Sequence, residues 1–448
     1  MRRGIIQWVP LFCALIAYAP ALKVGFLVED HPAIEYNPRL DHGSWAALRA
    51  DFQSNLLNIP GTRHYRPLLT LVNRIDKTVW GLHPRGFHVT SLLMHLACVW
   101  LGMWVLFEVS QSVALAILGA CLFAVHPIGV HTQLIIMARE EPLSLMWSLA
   151  AILLALRSEK KYGVAACVCY GAALFAKESA VATPFLLALV FWARRSPAVF
   201  YRRAFVMLLV TWPYLWVRHH AVGPIMVDPD FSVWKILLFK AAPVLWWSTL
   251  KLFMWPWTLH YPHPMHALSH AWPFAFAGMW GMGFWFWRLK NRIFFWAWGW
   301  SILWLAPRLP AIVEQGIRMD HWSYPGALAL AGVTAWCILW TFAQIKSKEH
   351  RNNLLAGVLA LVIYFGGATH YLIRKQSTDV ALHRWTLQFE PNLGFSLFNL
   401  GGALLAGGQK QAAIEPLQRY IELYHDDPAA LAPAQRLLRE AETKDQRR

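Results

Sequence analysis

HVTSLLMHLACVWLGMWVLFE, residues 88–108, reads as one continuous apolar helix free of Lys, Arg and Asp, with its one Glu at the terminal position 108. About twenty such residues at helical rise cross a hydrocarbon layer of about 30 Å. Inside lipid the backbone must satisfy its own hydrogen bonds, so a run of this kind is a helix. Working outward, comparable runs recur at 5–23, 112–129, 142–157, 162–176, 181–193, 204–217, 272–288, 293–306, 326–345 and 353–373. The expected fold is all-α, a polytopic membrane helix bundle of about 11 spans. The first run is too long to read as a removed signal peptide, so it reads as a retained span.

Of the 448 residues 57% are hydrophobic, with 26 Trp and 41 basic against 25 acidic side chains, a net charge of +16. Such a charge admits a nucleic-acid partner, but its distribution argues against one. Arg2-Arg3, residues 157–161, Arg194-Arg195 with Arg202-Arg203, residues 288–292 and residues 346–351 all lie between spans. Counting spans alternately, every cluster falls on one side, the positive-inside pattern. This predicts a cytoplasmic N-terminus, an outward first loop over 24–87 and an outward tail. Both ends of 234–256 then lie outside. With Lys235, Lys240 and Lys251 among Trp and Leu, that segment reads as an interfacial helix or re-entrant hairpin, a full crossing being the alternative. The six Cys (13, 98, 121, 167, 169 and 337) all lie inside predicted spans, so neither a disulfide nor thiolate chemistry is expected.

Directly after the first span comes VGFLVEDHPAIEYNP, residues 24–38. Its carboxylate pair, Glu29 and Asp30, is placed to take a proton from an attacking hydroxyl at the membrane surface. The plainer reading is that both cap a loop helix. Tyr65-Arg66-Pro67 opens an amphipathic stretch. Arg66 suits bidentate phosphate contact, or merely snorkels.

Further outward segments add charge. HPIGVHTQLIIMAREEPLSLMW carries His126, His131, Arg139, Glu140 and Glu141. Ionisable groups at bilayer depth are costly and tend to be functional. Arg139 is a candidate phosphate ligand and His131 a candidate to orient the phosphate or a sugar hydroxyl. Alternatively Arg139 pairs with Glu140 or Glu141. Lys177-Glu178 reads as an internal ion pair, with Lys177 able to reach the same pocket. Arg308, Glu314, Arg318, Asp320, His321 and Tyr324 give the last outward loop phosphate- and sugar-binding potential. Trp322 and Tyr324 serve equally as sugar walls or interfacial belt residues. His260, His263, His266 and His270 raise the question of a metal. Pro262 and Pro264 prevent a helical ligand pair among the first three, and no Cys or nearby carboxylate joins them. That segment therefore reads as an interfacial loop, with no metal site assigned.

From 377 the chain becomes soluble and helical. Residues 391–428 resemble one tetratricopeptide repeat: Leu400-Gly401, Leu404, Gly408, Ala413 and Leu417 fall where the repeat needs small or large apolar residues. Tyr420 stands where Ala is usual, and Pro428 comes late. The expected organisation is a membrane domain over 1–376 and a short tetratricopeptide-like domain over 377–448. The tail either docks an acceptor protein or simply stabilises the chain.

Taken in order, the motifs resemble those of the GT-C membrane glycosyltransferases, in particular the transmembrane-and-tetratricopeptide O-mannosyltransferases and their bacterial relatives. The matching residues are Glu29-Asp30 with Asn37-Pro38, Tyr65-Arg66-Pro67-Leu68, Gly86-Phe87-His88, His126-Pro127 with His131-Thr132, Ala138-Arg139 with Leu143, Ala176-Lys177-Glu178-Ser179, Trp255-Pro256 with Leu259, and Tyr324-Pro325. The chain departs from the pattern at Glu29, where an Asp-Asp pair is common, and at Asp320-His321, where Glu-Arg is usual. The resemblance implies inverting transfer of a mannose-like sugar from a polyprenyl-phosphate carrier to an acceptor hydroxyl on a protein or glycan, with protein Ser/Thr favoured. Asp30 or Glu29 would be the base. Arg66, Tyr65, His126, His131, Arg139, Lys177, Arg318, His321 and Tyr324 would line the donor site. No cofactor is required, although some members of the family use a divalent cation. A bacterial inner membrane is favoured over the endoplasmic reticulum. Two other functions fit the hydropathy: a transporter or flippase, which would need charges buried mid-span in paired halves, and a non-catalytic scaffold presenting the repeat, which would not need Glu29-Asp30.

Overall fold

The structure, a computed structural model, describes all residues except 1–3, 42, 57–63, 158, 198–199, 224–236, 265–271, 310–311, 313–316 and 444–448. Arg2-Arg3, Lys235, His266, His270 and Glu314 therefore lie outside the described residues.

The described chain is a bundle of helices with a single two-residue strand pair, His263–Pro264 antiparallel to Ile317–Arg318. Helix starts follow local chemistry. Pro occupies the first turn of Pro67–Trp80, Pro84–Ser110 and Tyr324–Gln344, where its missing N–H costs nothing. Ser112 and Asn291 cap the helices that follow them by accepting from Leu115 N–H and from Ile293 and Phe294 N–H.

Among the described residues, four helices are long and apolar enough to cross a membrane: Ile5–Lys23, Pro84–Ser110, Asp320–Gln344 and Lys348–Lys375. Val113–Val125 and Pro127–Leu134, bent by 51°, form a fifth if taken as one span. The other stretches expected as spans are also helical but shorter or more polar. Lys160–Ala176 has 17 residues and Arg292–Leu305 has 14. Helices of that length reach only about 20–26 Å at helical rise. The shortening has a visible cause: several end in polar turns. Glu178–Ala182 packs against Ala306–Arg308, and Pro127–Gly129 against Asp320–Ser323. The 234–256 segment is described from Leu237, and Ala242–Met254 within it is a helix.

Small residues let the long helices approach closely. A Cβ on Gly332 would stand 2.6 Å from Leu106, and one on Gly102 would stand 2.8 Å from Leu328. This is how helices pack where lipid removes the hydrophobic drive between them. Trp296, Trp300 and Trp304 fill the interior on the other side. The Trp300 indole N–H donates to the Pro325 carbonyl, 3.0 Å. Phe205, Trp212, Trp216, Phe284, Trp285 and Ile363 project outward from their helices. An apolar exterior of this kind, together with the four long helices, marks an integral membrane protein.

At the C-terminus, Gly394–Ala406, Lys410–Leu423 and Pro428–Glu442 pack around a small core of Leu400, Leu404, Ala413, Leu417 and Ala441. A Cβ on Gly401 would meet Leu417 at 2.5 Å, and Gly408 turns the chain at φ +72°. The preceding helix, Asp379–Leu387, joins the two: its Val380 and Leu387 pack against this small core, while its Leu382 is part of the large membrane-side core. Its Asp379 carboxylate accepts from Val28 N–H (2.8 Å) and lies 3.0 Å from His31 Nε2. Val28 itself has a left-handed φ of 49°.

Candidate active site

A cavity of about 270 Å³ opens where the first loop meets the polar turns, lined among others by Glu29, His64, Arg66, Glu140, Tyr261 and His321. It is built from distant parts of the chain. Pro67 bars its predecessor from the helical region. Arg66 therefore stands as a non-helical N-cap of Pro67–Trp80, with its guanidinium at the cavity wall.

Glu29 and Asp30 part company here. Glu29 is accessible within the cavity and accepts a hydrogen bond from the Tyr261 hydroxyl, 2.9 Å. The protein packed around Glu29 pushes its carboxyl above the usual carboxylate range, against the Tyr261 bond, which holds it down. Asp30 is fully buried and accepts from three backbone N–H groups: Leu27 (3.1 Å), Ile136 (3.0 Å) and Met137 (2.8 Å). Burial pushes its carboxyl up to about 7 even so, with the three donors opposing. Asp30 thereby fastens the first loop to the turn that precedes Arg139 and Glu140.

Behind the cavity runs a buried chain of alternating charges. Arg66 forks onto Glu178 through Nε (3.1 Å) and Nη2 (2.8 Å), and its Nη1 bonds Glu140. Lys177 Nζ bridges Glu140 and Glu141, the latter at 2.7 Å. Glu141 then accepts from Arg308 Nη2 at 2.5 Å, and Arg308 Nη1 donates to the Trp322 carbonyl. Three acids balance three bases, as burial demands. Glu178 is the most accessible carboxylate of the chain, with its side chain 31% exposed. Burial raises its pKa, but Arg66 outweighs that and holds the carboxyl well below the usual range. Arg66, followed by burial, keeps His64 neutral by pulling its pKa down to about 4.

The expected site residues divide accordingly. Glu29, Arg66 and His321 line the cavity, and Lys177 supports its wall. Arg139 does not reach it. Its Nη1 pairs with Asp76 (2.5 Å) and its Nη2 donates to Asn73 Oδ1 (2.5 Å), which ties it to the Pro67–Trp80 helix rather than to Glu140 or Glu141. Tyr65 donates to the Phe52 carbonyl at 2.7 Å. His126 lies parallel to the Phe253 ring and bonds that residue's carbonyl at 2.9 Å. His131 bonds Gln376 Oε1 at 2.8 Å and meets Tyr261 edge to face. Tyr324 is buried beside His95 Nδ1, 2.7 Å away. Arg318 pairs with Asp320 at 3.1 Å. Glu140 and Trp322, both singled out in the sequence, line the cavity too, whereas His64 and Tyr261 carry no sequence signal for this placement. Tyr261 gets there because its backbone is pinned to the Asp379–Leu387 helix: Thr386 Oγ1 donates to its carbonyl at 2.9 Å.

Among the described residues, Glu140, Glu141 and His321 bring possible metal-ligand atoms within 4.8 Å of one another. Lys177 Nζ already bonds both carboxylates, so an ammonium stands where the ion would. This set does not fit a divalent cation, and no step below is routed through one.

No family model matches the chain. Curated relatives do. The chain is 31% identical over 145 residues to protein O-mannosyl-transferase TMTC1 of Mus musculus, covering 31% of this chain and 15% of that protein. It is 32% identical over 149 residues to protein O-mannosyl-transferase TMTC3 of Homo sapiens, covering 32% and 16%. The matched stretches thus span under a fifth of these relatives' length. Among solved structures, ArnT from Cupriavidus metallidurans bound to undecaprenyl phosphate aligns with a TM-score of 0.45 at 13% identity, over 98% of this chain and 78% of that one. The Archaeoglobus fulgidus oligosaccharyltransferase aligns at 0.41 and 14% identity, over 83% and 55%. The chain resembles the protein O-mannosyl-transferases, as its ordered motifs imply.

Proposed function

We propose that this protein is an inverting glycosyltransferase of the GT-C class. It takes a mannose-like sugar from a polyprenyl-phosphate carrier and transfers it to an acceptor hydroxyl, first of all on protein Ser/Thr. One observation carries this reading: a partly desolvated carboxylate, Glu29, shares a cavity with the guanidinium of Arg66 at the head of a membrane bundle. The identity of the curated relatives supports it.

In the reaction the acceptor oxygen attacks the anomeric carbon on the face opposite the phosphate. The new C–O bond forms as the bond to the phosphate oxygen breaks, and the acceptor proton passes to Glu29. The raised pKa of Glu29 brings the base towards the working pH, where general-base catalysis is most effective. Tyr261 aims the carboxylate. The departing lipid phosphate gains charge as it leaves, and Arg66 meets it with donors already in place. Because Arg66 is shared with Glu178, the most exposed of the three acids in the buried charge network, the phosphate takes over contacts that Glu178 holds beforehand. His64, neutral, and His321 are placed to bind sugar hydroxyls. Asp30 positions the loop and does not touch the reacting atoms.

The site is assigned to the periplasmic face of a bacterial inner membrane, with the N-terminus cytoplasmic, from the positive-inside charge pattern. Residues 377–448 are assigned as a tetratricopeptide-like unit that docks the acceptor protein on that face. Incubating the purified protein in lipid nanodiscs with polyprenyl-phosphate mannose and Ser/Thr peptides tests the reading. Turnover by the wild type and not by Glu29→Gln is expected, and equal turnover in both would refute it.

A further inference from the structure

His260, His263 and Glu390 converge from two separate parts of the chain. His260 follows the Pro256–Thr258 turn, His263 opens the short strand, and Glu390 lies between Asp379–Leu387 and Gly394–Ala406. Each offers one ligand atom, and these atoms lie within 4.8 Å of one another. The arrangement has two features of a built site. The Nδ1 of His260 is 2.7 Å from the Thr258 carbonyl, so Nδ1 carries the proton and Nε2 keeps its lone pair. That Nε2 is buried without a hydrogen-bond partner, in a residue only 3% exposed. A bare imidazole nitrogen whose tautomer is fixed by a backbone carbonyl is how proteins present His to a metal. The second feature is an outer carboxylate. Asp320 lies 2.7 Å from His263 Nε2 and also accepts from His260 N–H (2.9 Å) and Arg318 Nη2 (3.1 Å).

We propose that His260, His263 and Glu390 bind a divalent cation of the zinc type. Two imidazoles and one carboxylate match its preference for nitrogen and oxygen donors, with one position left for water. Asp320, held by Arg318, orients His263 from outside. The sequence hid this site because both carboxylates lie at least 57 residues from the histidines. The ion sits behind the cavity, not in it: Tyr261, between the two histidines in sequence, is the residue that reaches Glu29. By joining the residue 260–263 loop to Glu390, zinc fastens the C-terminal helices to the membrane bundle.

The full-length protein, purified in detergent without an affinity tag and stripped with chelator, is titrated with zinc chloride. Bound metal is measured after gel filtration, and thermal unfolding and tryptic cleavage after Lys410 are followed alongside. The wild type is expected to retain about one zinc per chain, to melt higher with zinc, and to resist cleavage in the tail. His263→Ala and Glu390→Gln, at partly exposed positions that leave folding intact, are expected to lose all three effects. Asp320→Asn is expected to bind about 10–100-fold more weakly. Retention of zinc by His263→Ala and Glu390→Gln at the wild-type level overturns the proposal. So does a wild type that takes up none, or zinc lost only in His321→Ala, which would place the ion in the cavity.

Discussion

Glu29 and Asp30 are adjacent in the chain and have opposite destinations. One accepts from the Tyr261 hydroxyl inside an open cavity, and the other accepts from three backbone N–H groups in the interior. Their roles are therefore separable. Glu29→Gln is expected to cut turnover by about 10²–10⁴-fold with unfolding unchanged. Asp30→Asn places an NH2 against backbone donors and is expected to destabilise by about 1–3 kcal/mol. Parallel turnover and thermal-unfolding measurements check both.

Tyr261→Phe removes the hydroxyl that lowers the Glu29 pKa. The base then holds its proton to a higher pH, so the acid limb of the pH–rate profile should shift upward. The profile of the variant, measured at saturating donor, decides this.

Arg66 and Arg139 look alike in sequence and differ in place. Arg139→Met leaves Asp76 buried without its cationic partner, while the Thr90 hydroxyl still donates to it, an expected loss of about 3–5 kcal/mol. Adding Asp76→Leu should restore part of it, which a double-mutant unfolding cycle measures.

Glu178 competes with an incoming phosphate for Arg66. Glu178→Gln removes that competing charge, so polyprenyl phosphate, the expected product, should inhibit the variant at lower concentration than the wild type. Product-inhibition curves give the comparison.

The contact between the first loop and the C-terminal helices should depend on pH. Asp379, helped by Glu35, raises His31 from 6.5 to about 9, and burial offsets part of this. A pKa raised on folding stabilises fully below 6.5 and loses that contribution as pH rises through about 9. The Asp379 carboxyl, pulled below 3.8 by His31 against burial, works in the other direction, and its contribution falls away only in acid. Protease resistance of the tail should therefore decline between pH 6.5 and 9, and His31→Gln should flatten that decline.

Hydropathy made the helical membrane bundle legible, because lipid admits few other backbones. The candidate site was legible only as a collection of charges near the polar ends of spans. Glu29, Arg66 and His321 share a cavity, while Arg139, Tyr324 and His126 are spent on Asp76, His95 and Phe253. Nothing local distinguishes them, since the partner of Arg139 lies 63 residues away and that of Tyr324 lies 229 away. Tyr261 was hidden for the same reason. Its aim is set by Thr386, 125 residues along the chain.

Val28, at φ 49°, is a β-branched residue in a region that such side chains avoid. Its N–H is held by Asp379 at 2.8 Å, and departures of this kind cost about 1–3 kcal/mol. The residue just before the proposed base is thus the least comfortable in its loop and stays wound only while Asp379 grips it. Release of that grip lets the backbone relax and swings Glu29 off Tyr261. The seating of the C-terminal segment and the readiness of the acid then move as one mechanical variable, which a glycine at position 28 would uncouple.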